Sequence, residues 1–117
     1  MTVLILSFFS VKTNAQCSAQ IDNGTIIGVK KDITMDGAFR KVTFTLTNNT
    51  SQSMDVNIYK EGGNGKWWAS FKYDLKPGES YKEDDSFTGA TEKYIVYTSP
   101  HGSRCKFPSS ADVGRNQ

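Results

Sequence analysis

The chain holds a single histidine, His101, in 117 residues, and only two cysteines, Cys17 and Cys105. One imidazole and two distant thiols cannot supply the closely spaced ligands of a zinc knuckle or the CxxC of a redox pair. A Ser-His-Asp hydrolase would need His101 as its base, and no strand–turn–helix elbow sets a serine for it. Its place between Pro100 and Gly102 is that of a solvated turn. Helical patterning is equally scarce, since no window past residue 16 sustains apolar residues at i, i+3, i+4 and i+7. An excess of one charge is missing too. Fourteen basic side chains face twelve acidic ones, a net of +2, which gives no electrostatic case for nucleic acid or an anionic membrane. Twelve carboxylates are the ordinary complement of a soluble domain, so a glycosidase pair cannot be picked out from among them.

The one long, mostly apolar stretch runs from Val3 to Val11, with Ser7 and Ser10 inside it. That is the length of a signal-peptide h-region and well short of the roughly 20 residues a membrane-spanning helix needs. Thr13-Asn14-Ala15 follows, with small residues at −3 and −1 of a cut before Gln16, although no Lys or Arg precedes the run. The expected organisation is a signal peptide over 1–15, a single domain over 16–108 and a flexible tail over 109–117. A cut before Gln16 removes fifteen of the 117 residues and leaves 102, enough for one core and not two. Lys12 leaves with the leader, so the balance becomes thirteen basic against twelve acidic. A later cut after Ala19 would remove Cys17. Acylation of Cys17 as a lipoprotein would require a small residue before it, where Gln16 stands. The expected location is secreted or periplasmic, with no transmembrane segment in the mature chain.

In an oxidising compartment Cys17 and Cys105 are expected to form a disulfide. It would close an 88-residue separation, which the chain-entropy model values at about 4–5 kcal/mol. That is a large share of the roughly 5–15 kcal/mol that holds a domain folded.

Period-two alternation recurs along the rest of the chain. Thr25 to Lys30 reads as a strand, followed by a turn-rich link ending in the hairpin corner Asp36-Gly37. Phe39 to Thr47 alternates most cleanly, with Val42, Phe44 and Leu46 on one face and Lys41, Thr43, Thr45 and Thr47 on the other. Met54 to Lys60 puts Met54, Val56 and Ile58 inward and Asp55, Asn57 and Tyr59 outward. Lys66 to Leu75 puts Trp67, Ala69, Phe71, Tyr73 and Leu75 on the core face, leaving Trp68 on the polar one. Lys76-Pro77-Gly78-Glu79 has the chemistry of a type II turn. Ser80 to Phe87 is a polar edge strand, in which Glu83-Asp84-Asp85 would deter pairing with a foreign edge better than it would hold calcium. Thr88 to Thr91 turns into the strand Lys93 to Ser99, and Arg104 to Phe107 is a last short strand.

Six to seven short antiparallel strands predict an all-β fold, a small immunoglobulin-like β-sandwich, with a small β-barrel as the alternative. The Cys…Trp…Cys spacing of antibody domains is absent. Asn23-Gly24-Thr25, Asn48-Asn49-Thr50 and Asn49-Thr50-Ser51 are sequons that matter only in a eukaryotic secretory pathway. The candidate ligand-binding residues are Trp68 and Tyr59, two aromatics read as outward-facing near the Gly62–Gly65 loop, where exposed rings serve as anchors. The expected function is therefore that of a secreted, non-enzymatic binding module without cofactor, recognising a carbohydrate or protein ligand through an aromatic sheet face. The alternative is a small membrane-active, toxin-like β-protein.

Overall fold

A computed structural model describes residues 17–62, 65–86 and 93–116. Seven antiparallel strands form two sheets: β1 (Gln20–Asp22), β2 (Ile27–Asp36), β3 (Phe39–Asn48), β4 (Met54–Glu61), β5 (Trp67–Leu75), β6 (Ser80–Ser86) and β7 (Tyr94–Pro100). One sheet has the order β1-β7-β4-β5 and the other β2-β3-β6. The chain changes sheet between β1 and β2, β3 and β4, β5 and β6, and β6 and β7. This interleaving makes a small β-sandwich, not a closed barrel. No helix among the described residues is long and apolar enough to cross a membrane. The proposed leader, residues 1–15, and the expected Thr88–Thr91 turn lie outside the described residues.

The alternation of β3 places the core as expected. Val42, Phe44 and Leu46 are buried, and they meet Met54, Val56, Ile58, Leu75 and Val96 of the facing sheet, with Ile27 from β2. The β2–β3 hairpin turns at Gly37, whose φ of 64° suits a two-residue hairpin turn with glycine leading. β2 extends through the link expected after Lys30 and pairs with β3 over its full ten residues. Gly78, at φ 78°, supplies the type II turn before β6, and β6 lies at a sheet edge as its polarity foretold.

The core carries two polar tie points. Asn48, fully buried, donates through Nδ2 to the carbonyls of Gln52 and Leu75, and its Oδ1 accepts from the Thr50 amide and hydroxyl. A buried amide satisfied four ways is a structural knot between the sheets, not an exposed sequon. Glu83, read as part of a charged edge, turns inward instead. It accepts from Lys60 Nζ at 2.9 Å, Ser70 Oγ at 2.7 Å and Tyr81 at 2.6 Å. Burial pushes its carboxyl up, but the three hydrogen bonds and the Lys60 charge outweigh that and hold it below its ordinary range.

β5 departs most from the expectation. Met54 pairs with Leu75, whereas Val56 pairs with Lys72, so Asp55 stands opposite both Tyr73 and Asp74. Asp74 absorbs the extra residue at φ 56°, a conformation Asp tolerates better than most side chains. A one-residue slip sends every later side chain to the other face. Leu75 therefore joins the core, while Lys72 and Ser70 take the inner face and Phe71 and Tyr73 the outer one. Trp67, expected in the sandwich core, is half-buried on that outer face.

The outer face of the four-stranded sheet is covered by the C-terminal segment, where the sequence reading expected a flexible tail. Ser110–Arg115 form a helix, α1, whose N-cap Ser109 accepts from the Asp112 amide. Val113 is buried, and a Cβ built on Gly114 would come within 2.7 Å of Trp67 Cδ1. Only a glycine lets the helix backbone sit so close to the indole. The Cys17–Cys105 disulfide forms. Beside it Ser18 and Lys106 make a parallel bridge in place of the expected last strand, with Ala19 N–H donating to Lys106 O at 2.8 Å and Lys106 N–H to Cys17 O at 2.8 Å.

Candidate functional site

Tyr59 and Trp68 do not share a surface. Trp68 pairs with Lys60, and Tyr59 with Ala69, so the two rings leave opposite faces of one sheet. Trp68 is half-exposed. Tyr59 is fully buried, which corrects the expectation that it points outward into solvent. Its hydroxyl donates to Pro108 O and accepts from Asn57 Nδ2, and its ring meets Tyr97 edge-on at 5.2 Å. Burial, and then Tyr97, pushes its phenol up to about 12. The residue hidden from sequence reasoning was the cover, since alternation cannot say what packs on the outside of a sheet.

The best-formed constellation lies farther along the same outer face. The Asp74 bulge delivers Tyr73 and Phe71 to a cleft of about 300 Å³, which Asp55, His101, Arg104 and Phe107 complete. Tyr73 is 65% exposed, and its ring stands edge-on to Phe71 at 4.2 Å, while Phe107 meets Phe71 edge-on at 5.0 Å. Phe71 thus contacts both rings and braces Tyr73 as a platform.

The polar groups of this cleft are held as firmly. The buried Asp55 carboxylate accepts from the Asp74 amide at 2.8 Å and contacts His101 Nδ1 at 2.8 Å. His101 is therefore an oriented side chain, not the freely solvated one its Pro-His-Gly setting implied. No sequence signal links it to an aspartate 46 positions away. Lys76, bonded to Asp74 at 2.7 Å, holds the Asp74 carboxyl below its ordinary range, with the His101 charge acting in the same direction. The Asp55–His101 pair matches the orienting half of a hydrolase triad. Ser103, two residues on, donates its hydroxyl to Cys105 Sγ and not to the imidazole.

Among the described residues, the two non-glycine positions with positive φ are Asp74 and Arg104, at 56° and 61°. Both border this cleft, and strained backbone of this kind concentrates where side chains must be aimed. A larger groove of about 560 Å³ runs between β7 and β2. Its one acid, Asp22, already accepts from the amides of Gly24, Ile26 and Ile27 and from Thr25, so its carboxylate is consumed in shaping a loop. No family model matches the chain, and neither a curated protein nor a solved structure matches it.

Proposed function

We propose that this protein is an exported, non-catalytic binding module that holds a carbohydrate against Tyr73 in the cleft between β4, β5 and the C-terminal segment. The observation that carries the reading is one exposed aromatic ring set beside converging polar side chains. A sugar ring has an apolar C–H face and a rim of hydroxyls, so it needs a flat π surface together with hydrogen-bonding groups at its edge. Tyr73 offers the surface, while Asp55, His101 and Arg104 offer the edge. Rigid aromatics and a few placed polar groups are the usual makings of a small-ligand site. Export is supported by the disulfide and by the leader-like stretch before Gln16.

A glycan array probed with the disulfide-intact protein tests the reading. Tyr73→Ala is expected to weaken the retained glycans about tenfold, the loss of one stacking contact of roughly 1–1.5 kcal/mol. Its unfolding free energy should fall by no more than about 1 kcal/mol, the worth of the edge-on contact with Phe71, because the ring is otherwise mostly in water. An empty array, or full binding by the variant, would count against the site. Mass spectrometry of exported protein should give an N-terminus at Gln16. The second reading, a membrane-active β-protein, draws on Ile33 and Met35, exposed near the end of β2. Leakage of dye from liposomes, absent from a double Ile33→Ser, Met35→Ser variant, would favour it.

A further inference from the structure

We propose that the sugar this cleft selects is an acidic one, bearing a carboxylate or a sulfate, and that Arg104 is the residue that reads the charge. The proposal rests on the sugar-site reading and adds a ligand class to it.

Both carboxylates beside the cleft are already engaged: Asp55 accepts from the Asp74 amide and contacts His101 Nδ1, and Asp74 pairs with Lys76. Arg104, which lines the same cleft, makes no hydrogen bond or ion pair with any described residue. It is an exposed guanidinium beside an exposed tyrosine, with every neighbouring carboxylate already engaged. A guanidinium presents a planar fork of donors that fits two oxygens of a carboxylate or a sulfate at once.

The backbone points the same way. Arg104 sits at φ 61°, where a glycine would rest without steric cost and a residue with a Cβ does not. The disulfide at Cys105 and the glycine turn at Gly102, φ 86°, hold the segment on both sides, so the side chain leaves a constrained backbone. The arginine therefore holds this position against a local backbone cost, and no hydrogen bond or ion pair to a described residue offsets it.

The test uses the disulfide-intact protein and isothermal titration at low salt with three probes: an oligogalacturonate, its fully methyl-esterified counterpart and a sulfated neutral oligosaccharide. The parent is expected to bind at least one charged probe ten times or more as tightly as the ester, and the two charged probes tell carboxylate from sulfate. Arg104→Gly relieves the positive φ, so its melting temperature should equal or exceed the parent's while the preference for charge falls about tenfold. Arg104→Lys keeps the charge without the fork and should retain only part of the preference. Tyr73→Ala should weaken charged and neutral probes alike. Lys82→Gln removes one exposed positive charge on β6, away from the cleft, and should leave the preference unchanged.

If Arg104→Gly keeps the parent's preference while Tyr73→Ala loses binding, the acidic-sugar proposal is overturned and the sugar site stands. The proposal also fails if Lys82→Gln matches the loss caused by Arg104→Gly, because net charge alone then explains it. If the parent binds none of the three probes and an array of neutral glycans is empty as well, the sugar-site reading itself fails.

Discussion

The two faces of the four-stranded sheet are built on different principles. The inner face, Val56, Ile58 and Val96 with Leu75, meets the alternating apolar row of β3, and its cohesion comes from continuous close packing. The outer face is assembled from Tyr59, Phe71, Trp67 and Tyr97, joined by edge-on ring contacts and single hydrogen bonds to Phe107, Pro108 and α1. One face is closed by another sheet and the other by a single strip of chain. The strip leaves Tyr73 largely exposed, and the cleft lies between that ring and the strip's Arg104 and Phe107. Sites tend to lie where cover is incomplete, because a fully packed face leaves no room for a ligand.

Mutations can break this contrast at either face. The largest effect is expected from Ile58→Ala, which leaves a cavity among side chains that are fully buried. A cost of about 3–4 kcal/mol should appear as a lower urea midpoint with unchanged slope. Glu83→Gln comes next, at about 2 kcal/mol, since it strips the charge from three hydrogen bonds, that from Lys60 among them. The pH dependence has a definite sign. A carboxyl held below its ordinary range stabilises the fold fully above the unfolded-state value, and that contribution is lost as pH falls through the folded one. The parent should therefore lose stability on acidification more steeply than Glu83→Gln, as followed by melting temperature between neutral pH and about pH 3.

Smaller changes should separate the outer face from the inner one. Gly114→Val places carbons where Trp67 already packs, at a cost of about 1–2 kcal/mol for overpacking. The expected signature is an indole newly open to acrylamide quenching, with hydrogen-exchange protection of β3 and β4 retained. Loss of protection in both faces together would show that they melt as one unit. Tyr59→Phe removes only the hydroxyl's bonds and should cost about 1 kcal/mol. In a spectrophotometric titration of the parent, one of the five tyrosines should ionise near 12 and be missing from that variant.

β3, the Asp36-Gly37 corner, the Pro77-Gly78 turn and the edge position of β6 were legible because each depends on residues adjacent in the chain. β4 was legible by half: its apolar row was clear, but Tyr59 and Asn57 looked solvent-facing until the C-terminal segment covered them. α1 escaped because six residues are too few for a helical period. Its one local mark was Ser109 three places before Asp112, the spacing of an N-cap with an acidic first turn. The faces of β5 were read the wrong way round, for strict alternation holds only while the register does, and Asp74 shifts it by one.

By itself the sequence determined an all-β chain, its hairpin and turn chemistry, the apolar row that became the core and the pairing of two lone cysteines. These follow from local conformational preference, period-two burial and the absence of any other thiol. Only the tertiary structure decided which aromatics are hidden and which are offered. It buried Tyr59, presented Tyr73, and brought Asp55 to His101 across 46 positions. Those outcomes depend on one bulge and on where the end of the chain folds back. Both are settled by packing between distant segments, which no local pattern in the sequence records.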